Sequence, residues 1–434
     1  MKSKVDIAEI YLWSNKVGAV GWDNETNVAT FEFEKKFLES IYDIAPLWMP
    51  LEEARRGVTK FSFPDINKLT YKGLPGLLAD ALPDNYGNKI IDIWLARQGR
   101  SPKDFSPVER LCYMGNRSMG ALVFKPVIRT SMDKSVLIDI GELVDLAQRI
   151  VNNRSALATD YNDDKSKAIT DIISVATSAG GNRSKAVIAI NKKTKQIRSG
   201  QIDVPKDFTH WILKFDGVKD EALGDPKGYG LIEYVYYKMA LSAGINMNEC
   251  ALLKENGRSH FMTKRFDRLN HNEKIHMQTL CAIAHFDYNA PGSHSYEQAF
   301  QVMRELKLPY PDMEQLYRRM VFNVAARNQD DHTKNISFLM DKSGEWRLSP
   351  AYDIIYAYNA SQGFTNKHQM QVNGKRDGFQ REDLILVGDN NGIKNCKKII
   401  EETLESILKW PQLAKNEGLS KDKISKIKKM HRFI

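Results

Sequence analysis

The sequence predicts an α+β protein of two unequal lobes, strand-rich first and helical after. Two observations predict it. Up to about residue 275 the chain carries short runs that alternate apolar and polar residues, closed by Gly, Asn or Asp. From about residue 276 the apolar residues recur at helical spacing instead. Strands grouped before helices belong to the α+β class. A third observation bounds the size: 434 residues, 42% of them hydrophobic, are too many for one ordinary domain and supply more than one core.

The elements follow in order. Ile10-Tyr11-Leu12-Trp13 and Thr30-Phe31-Glu32-Phe33-Glu34, with Asp23-Asn24 between them, predict short strands around a turn. Gly76 to Arg97 predicts helices broken at Pro83. A turn at Gly115-Asn116 precedes the strand-like Ala121 to Phe124, and this first block ends near Pro126. A helix is expected around Ile138 to Asn152, then a charged surface loop from Asp160 to Lys167. Ala186 to Ile190 and His210 to Phe215 read as strands, with a polar turn containing Gly200 between them. Residues 229–243 predict a helix capped at Gly244. Asn256-Gly257 predicts a hairpin between Leu252-Leu253 and Phe261 to Lys264. Met277 to Ala284, Tyr296 to Leu306 and Glu314 to Arg327 predict amphipathic helices.

The formal charge of +9 suits an anionic partner (nucleotide, nucleic acid or acidic protein) and equally a soluble protein with spare lysines. Cys112, Cys250, Cys281 and Cys396 form no C-x-x-C pair, so neither a disulfide framework nor a zinc ribbon is expected, and a reducing cytoplasm is. The first twenty residues contain no apolar signal-peptide core, and no run of eighteen apolar residues occurs. His260, His271, His276, His285 and His294 crowd a short span, but their spacing fits no metal signature.

Four places, in chain order, fit one phosphoryl-transfer machine. The first is Ser178-Ala179-Gly180-Gly181-Asn182-Arg183-Ser184-Lys185, where small residues let backbone N–H groups approach phosphate and Arg183 or Lys185 adds charge. It is neither a Walker A loop nor the eukaryotic kinase glycine loop, and a simple Gly-rich turn is the competing explanation. The second is Lys214, on the same strand face as His210 and Ile212, where an ammonium is costly to bury unless it meets an anion or reaches solvent from an edge. Glu233 on the next helix is a pairing candidate. The third is Asn328-Gln329-Asp330-Asp331-His332-Thr333-Lys334-Asn335. Its Asp330-to-Asn335 spacing equals that of the kinase catalytic loop, in which the Asp accepts the proton of the substrate hydroxyl or orients it and the Asn binds Mg²⁺. The competing explanation is a helix-capping Asx turn. The fourth is Asp353 in Ser349-Pro350-Ala351-Tyr352-Asp353-Ile354, placed downstream as a second metal ligand or as a turn residue after Pro350.

Together these segments resemble the HipA family of toxin kinases. Residues 178–185 are similar to the S-A-G-G-A-R-P-K loop of that family, and Lys264-Arg265-Phe266-Asp267-Arg268 to its K-R-F-D-R element. Asn328 to Asn335 resembles N-x-D-x-H-x-K-N, and Pro350 to Ile354 resembles P-A-Y-D-[LIV]. Met49-Pro50-Leu51, Leu82-Pro83-Asp84 and Gly115 to Leu122 look like signatures of the family's N-terminal subdomain, so the likeness runs from about residue 10 to residue 375.

The resemblance implies a bilobal fold, protein-kinase-like and phosphoinositide-kinase-like, with a strand-rich N-lobe and an all-helical C-lobe. Its parts would be an N-terminal subdomain at 1–128, a kinase N-lobe at 129–266 and the C-lobe at 267–434. It implies a Mg-ATP-dependent serine/threonine protein kinase, the toxin of a toxin–antitoxin pair. Such kinases phosphorylate a protein target, often an aminoacyl-tRNA synthetase, and a serine of their own Gly-rich loop. Carried over, Ser178 is the autophosphorylated serine. Gly180, Gly181, Asn182, Arg183, Lys185 and Lys214 bind the ATP phosphates, and Arg265 and Phe266 lie beside the adenine. Asp330, His332 and Lys334 are catalytic, and Asn335 and Asp353 hold Mg²⁺. Asn182 and Ser184 depart from the family loop, and Ser184 adds a second phosphorylatable hydroxyl.

The implied partner is a small helix-turn-helix antitoxin similar to HipB, and operator DNA through it. The lysine-rich Lys415 to Arg432 then has two readings, a solvated helix face or a set of DNA-phosphate contacts. A lipid or small-molecule kinase and a non-enzymatic corepressor are the competing functions, and the intact Asp330, Asn335 and Asp353 weigh against the second.

Overall fold

Alternation near the start of the chain becomes an antiparallel sheet. Strands β1 (Ile7–Leu12), β2 (Asn15–Asp23), β3 (Val28–Phe33), β4 (Lys60–Ser62) and β5 (Leu122–Lys125) lie in the order β4-β3-β2-β1-β5. Ala8, Ile10 and Leu12 are buried on one face of β1, as period-two spacing requires. The structure is a computed structural model that describes residues 4–128, 135–152, 183–218, 228–361 and 363–434. The expected loop at Asp160 to Lys167 lies outside them.

The described chain divides into two compact units. The first comprises residues 1–227, 251–277 and 342–344, and the second 228–250, 278–341 and 345–434. After the first sheet, the first unit carries short helices α1 (Leu51–Arg55), α2 (Lys68–Tyr71) and α3 (Gly76–Ala79). Pro83 separates α3 from α4 (Asn85–Arg97), and Asp84 caps α4 by accepting from the Gly87 N–H at 2.7 Å. Ser106 does the same for α5 (Pro107–Met114), and α6 (Ile140–Asn152) follows.

A second sheet has the order β7-β6-β8-β10-β9: β6 (Lys185–Asn191), β7 (Ile197–Ser199), β8 (Phe208–Lys214), β9 (Cys250–Glu255) and β10 (Arg258–Lys264). Every residue of β6 is buried. Ile90 and Ile91 of α4, Leu143 and Val144 of α6, and Ile188, Trp211 and Leu213 of the sheet share one core. Asn256 and Gly257 both take positive φ, which the tight β9–β10 turn demands. Strand β7 occupies part of what the sequence presents as a polar turn. Gly200 follows it, and there a Cβ would stand 2.3 Å from the Ile188 carbonyl, so only glycine permits the approach.

The second unit is built on helices α7 (Tyr229–Ser242), α8 (Leu280–Ala284), α9 (Tyr296–Glu305), α10 (Tyr310–Ala326), α11 (Arg381–Asn390), α12 (Cys396–Leu408), α13 (Trp410–Asn416) and α14 (Lys421–Met430). Ile232, Tyr236 and Met239 of α7 pack with Phe322 of α10 and Trp410 of α13 in its core. The expectation of an all-helical C-lobe is corrected by a three-stranded sheet of order β11-β12-β13, made of β11 (His276–Thr279), β12 (Ser337–Met340) and β13 (Trp346–Leu348), in which β12 and β13 are antiparallel around the turn at Asp341 to Gly344. The helix expected from Met277 starts only at Leu280. His276–Thr279 is strand β11, and the Thr279 hydroxyl caps α8 by accepting from Ala282 N–H at 3.2 Å. Helix α10 begins four residues before Glu314 because Pro311 is tolerated in a first turn.

All four cysteines are free and buried. Among the described residues no helix is long and apolar enough to cross a membrane. On α14 Lys421, Lys423, Lys426, Lys428 and Lys429 are exposed, while Ile427 is buried and the Ile424 carbonyl accepts from the Trp410 indole at 3.0 Å. That helix has a solvated lysine face and a packed apolar one.

Candidate active site

Helix α10 is apolar and buried along most of its length, and it ends at Arg327, whose φ of 59° turns the chain sharply. The polar loop leaves from there. Its two neighbouring aspartates part company: the Asp330 side chain is 44% exposed and that of Asp331 only 1%. A buried carboxylate needs donors. Asp331 has three: the Tyr296 hydroxyl at 3.0 Å, His368 Nδ1 at 2.8 Å and the Gln369 N–H at 2.8 Å. Burial, with Asp331 alongside, raises the Tyr296 hydroxyl well above its ordinary range, so it stays a donor. Asp331 therefore fixes the loop from inside and leaves Asp330 at the surface.

Asn335 closes the loop. Its Nδ2 donates to the Asp330 carbonyl at 2.8 Å, and its backbone N–H donates to the His332 carbonyl at 2.8 Å. Its side-chain amide nitrogen is thus engaged within the loop, and its carbonyl oxygen is the end suited to a cation. Asp353 sits at φ 53°, a left-handed conformation that turns the chain at the end of the Pro350 segment. Its carbonyl accepts from Asn328 Nδ2 at 3.3 Å, and the same nitrogen donates to Asn323 Oδ1 at 2.9 Å. The Tyr352 hydroxyl donates to the Lys334 carbonyl at 2.6 Å, and buried Arg319 donates to the Ser349 carbonyl at 2.5 Å. These bonds tie the Asp353 turn to the Asp330 loop and to α10. Asn328, His332, Asn335 and Asp353 line one cleft of the second unit, and the buried Asn328 Oδ1 there has no protein partner.

His332 Nε2 is 3.9 Å from Asp330 Oδ1, with its ring tilted against Tyr288. The Lys334 ammonium lies 4.7 Å from the centre of the same Tyr288 ring, a cation–π contact. Asp330 thus stands beside His332 and Asn335, and His332, Asn335 and Asp353 line one cleft, which Asp331 rather than Asp330 borders, while the Lys334 side chain runs to an aromatic neighbour.

In the first unit, Ser178, Gly180, Gly181 and Asn182 lie outside the described residues, and Arg183 is half-buried beside them. Lys185 differs from expectation: its side chain is 3% exposed and its ammonium is 3.0 Å from Asp84. It ties β6 to the start of α4, because a lysine on a fully buried strand is held by the nearest carboxylate. Lys214 on β8 pairs in register with Lys185 on one side and Phe261 on the other, and its ammonium is 5.7 Å from the Phe261 ring.

Arg265 also differs. Its side chain is 0% exposed and forms two bonds to Asp267, at 2.9 and 2.7 Å, so it belongs to the interior. Phe266 beside it is half-buried. Arg268 completes the cluster. It donates to Asp267 at 2.7 Å and to the carbonyls of Gly120 and Ser118 at 3.0 Å each, while the Gly120 N–H donates to Asp267 at 2.7 Å. The segments Gly115 to Leu122 and Lys264 to Arg268, noted separately in the sequence, are thus two sides of one buried polar seam.

Lys274 joins the seam, donating to the Asn116 carbonyl at 2.6 Å. Burial first, then Arg268 and Arg265, push its ammonium down to about 7. A lysine with a lowered folded value binds fewer protons folded than unfolded, so stability rises with pH between about 7 and the unperturbed 10.5. Unfolding midpoints measured across that window are expected to rise for the wild type and to stay flat for Lys274→Met.

Tyr296, His368 and Asp267 are the site residues that sequence spacing did not single out. Tyr296 and His368 reach Asp331 from 35 and 37 residues away, which no local pattern records. Asp267 had one signal, an acidic residue flanked by Arg265 and Arg268.

A unit built on two sheets and a unit built on helices, the second carrying an Asp–Asn loop that leaves a buried helix and an Asp turn bound to it, define the class: an α+β protein. Residues 177–411, more than half of the chain, match the family model of the HipA-like C-terminal domain, and residues 8–125 match that of the HipA N-terminal domain. The chain belongs to the HipA family.

The fold agrees. A chain of the toxin–antitoxin complex of HipA, HipB and operator DNA from Shewanella oneidensis MR-1 superposes with a TM-score of 0.68 at 17% identity, covering 97% of this chain and 95% of that one. The chain is also 26% identical over 137 residues to Putative kinase Y4mE of Sinorhizobium fredii (strain NBRC 101917 / NGR234), a match covering 29% of this chain and 32% of that protein. It therefore spans about a third of the length of this curated relative.

Proposed function

We propose that this HipA-family chain is a Mg-ATP-dependent serine/threonine protein kinase and the toxin of a toxin–antitoxin pair. The observation that carries the proposal is the split of the two neighbouring aspartates. Asp331 is spent on fixing the loop, and Asp330 is presented to solvent next to Asn335 and in the unit that holds Asp353. A structural Asx turn needs no such exposed carboxylate.

In this proposal the Asp330 carboxylate receives the proton of a serine or threonine hydroxyl as its oxygen attacks the γ-phosphorus and ADP departs. Asn335 Oδ1 and the Asp353 carboxylate would hold Mg²⁺. Both are hard oxygen donors, and the orphaned Asn328 Oδ1 in the same cleft is a further acceptor that a hydrated cation satisfies. The metal would supply charge neutralisation on the phosphates. His332 orients Asp330, and Lys334 keeps the loop positive near the phosphate. In the first unit Lys214 and the 180–183 loop bind phosphate, Phe266 lies near the adenine, and Ser178 is the autophosphorylated serine. A small helix-turn-helix antitoxin similar to HipB, with operator DNA bound through it, is the proposed partner, by analogy with the Shewanella complex. An aminoacyl-tRNA synthetase is the proposed class of target.

Labelled ATP, given to the purified protein with a cell extract and separately with extracted lipids, tests the acceptor. Label on protein serine or threonine, absent from lipid and small molecules, is the expected result. Label on lipid alone overturns the protein-kinase reading.

A further inference from the structure

We infer that Arg432, with His368, is a positioning residue for the catalytic loop; the inference rests on the kinase reading of that loop. Segment Met430 to Arg432 closes on the end of α10. The Arg432 N–H donates to the Ala325 carbonyl at 2.8 Å, Arg327 Nε donates to the Met430 carbonyl at 2.8 Å, and the Tyr236 hydroxyl and His431 Nε2 are 3.0 Å apart. The Arg432 side chain, 10% exposed, lies over the Phe379 ring and pairs with Asp377.

The same guanidinium reaches His368 Nε2 at 3.1 Å. An arginine can only donate, so His368 Nε2 accepts. His368 Nδ1 therefore carries the proton and donates to Asp331 at 2.8 Å. One tautomer is fixed by its two partners, much as an outer residue orients a catalytic imidazole. The chain of bonds continues inward. Asp331 accepts from Tyr296, whose hydroxyl accepts from Asn323 Nδ2 at 3.0 Å, and Asn323 Oδ1 accepts from Asn328, which also holds the Asp353 carbonyl. Arg432 thus stands at the outer end of an unbroken hydrogen-bonded path that runs through Asp331, the neighbour of Asp330, and ends at the Asp353 turn. Burial and Arg327 lower the Arg432 guanidinium to about 10, so it remains charged at neutral pH. Nothing in its sequence context sets it apart from the lysines before it.

The test uses the full chain carrying Arg432→Met, which keeps an apolar stem over Phe379 and removes every side-chain donor. Arg432→Lys returns a single charged donor. Turnover of Mg-ATP is expected to fall about ten- to a hundredfold in Arg432→Met, the scale of a small misplacement of catalytic groups. KM for ATP should change by less than about twofold, the mark of a loss confined to the reacting geometry. Half-saturation by Mg²⁺ should shift upward, and Arg432→Lys should recover part of the turnover. Asp377→Ala, at the exposed end of the path, should move the same quantities in the same direction and less far, and it decides the matter if Arg432→Met does not fold.

Hydrogen exchange is read in parallel. Amides 328–335 and 369 should exchange faster in the variants. Unchanged turnover, or a loss of thermal stability with no split between kcat and KM and no change in Mg²⁺ dependence, overturns the inference. A wild type that never transfers phosphate overturns the kinase reading instead; the exchange at 328–335 then decides whether Arg432 holds the loop.

Discussion

Asp330→Ala is expected to abolish phosphate transfer, by about 10²–10⁴-fold at least, and to leave the unfolding midpoint where it is. The geometry separates the two effects. The Asp330 side chain is 44% exposed, so its removal leaves no cavity, and the expected loss is that of the group proposed to take the substrate hydroxyl's proton. Its neighbour is expected to behave in the opposite way. Asp331→Ala orphans three donors in the interior, a cost of about 1–3 kcal/mol for each unsatisfied group. Kinetics and chemical denaturation of the two variants, measured side by side, check this. An Asp330 variant with full turnover, or one as unstable as the Asp331 variant, contradicts the assignment.

A second large effect on stability is expected at Asp267. This carboxylate is fully buried between Arg265 and Arg268 and accepts the Gly120 N–H. Asp267→Asn keeps the shape and removes the charge, leaving two buried guanidinium groups facing each other. Breaking a buried ionic group in this way costs about 3–5 kcal/mol. The pH dependence follows from the sign of the shift. Burial alone would raise this carboxyl, but Arg265 and Arg268 hold it well below the usual carboxylate range. The folded protein therefore resists protonation that the unfolded chain accepts, so the stabilisation is fully present above about pH 4 and is lost as the pH falls further. The difference in unfolding free energy between wild type and Asp267→Asn should be constant from neutral pH down to about pH 4 and shrink below it. A difference that stays constant throughout would remove the ionic explanation.

These two sites show what the sequence makes legible. The Asp330-to-Asn335 spacing and the Asp353 turn are local patterns, and the structure places Asn335 and Asp353 on one cleft. Strands β1 and β3, the hairpin at Asn256-Gly257 and the helix break at Pro83 were legible because each is set by residues within a few positions. What was not legible depends on partners far along the chain. Asp84, which holds the Lys185 ammonium at 3.0 Å, lies about a hundred residues before it; the Arg265–Asp267 pair is local, but the Gly120 N–H that completes it comes from 147 residues away. The helix expected from Met277 starts three residues later because Met277 to Thr279 belong to a strand and the apolar Leu280 to Ala284 run begins only after the Thr279 cap. Tyr296, His368 and Arg432 lie 35, 37 and about a hundred residues from the loop they support, and spacing alone carries no trace of them.

The central claim is that the chain transfers phosphate from Mg-ATP to a hydroxyl. Intact-mass spectrometry of the purified protein after incubation with Mg-ATP, followed by peptide mapping, tests it most directly. The account predicts one added phosphate at Ser178, with Ser184 as the other hydroxyl of the same loop, and none in Asp330→Ala. A wild-type protein that gains no phosphate and binds no ATP would contradict the account and leave a non-enzymatic corepressor in its place.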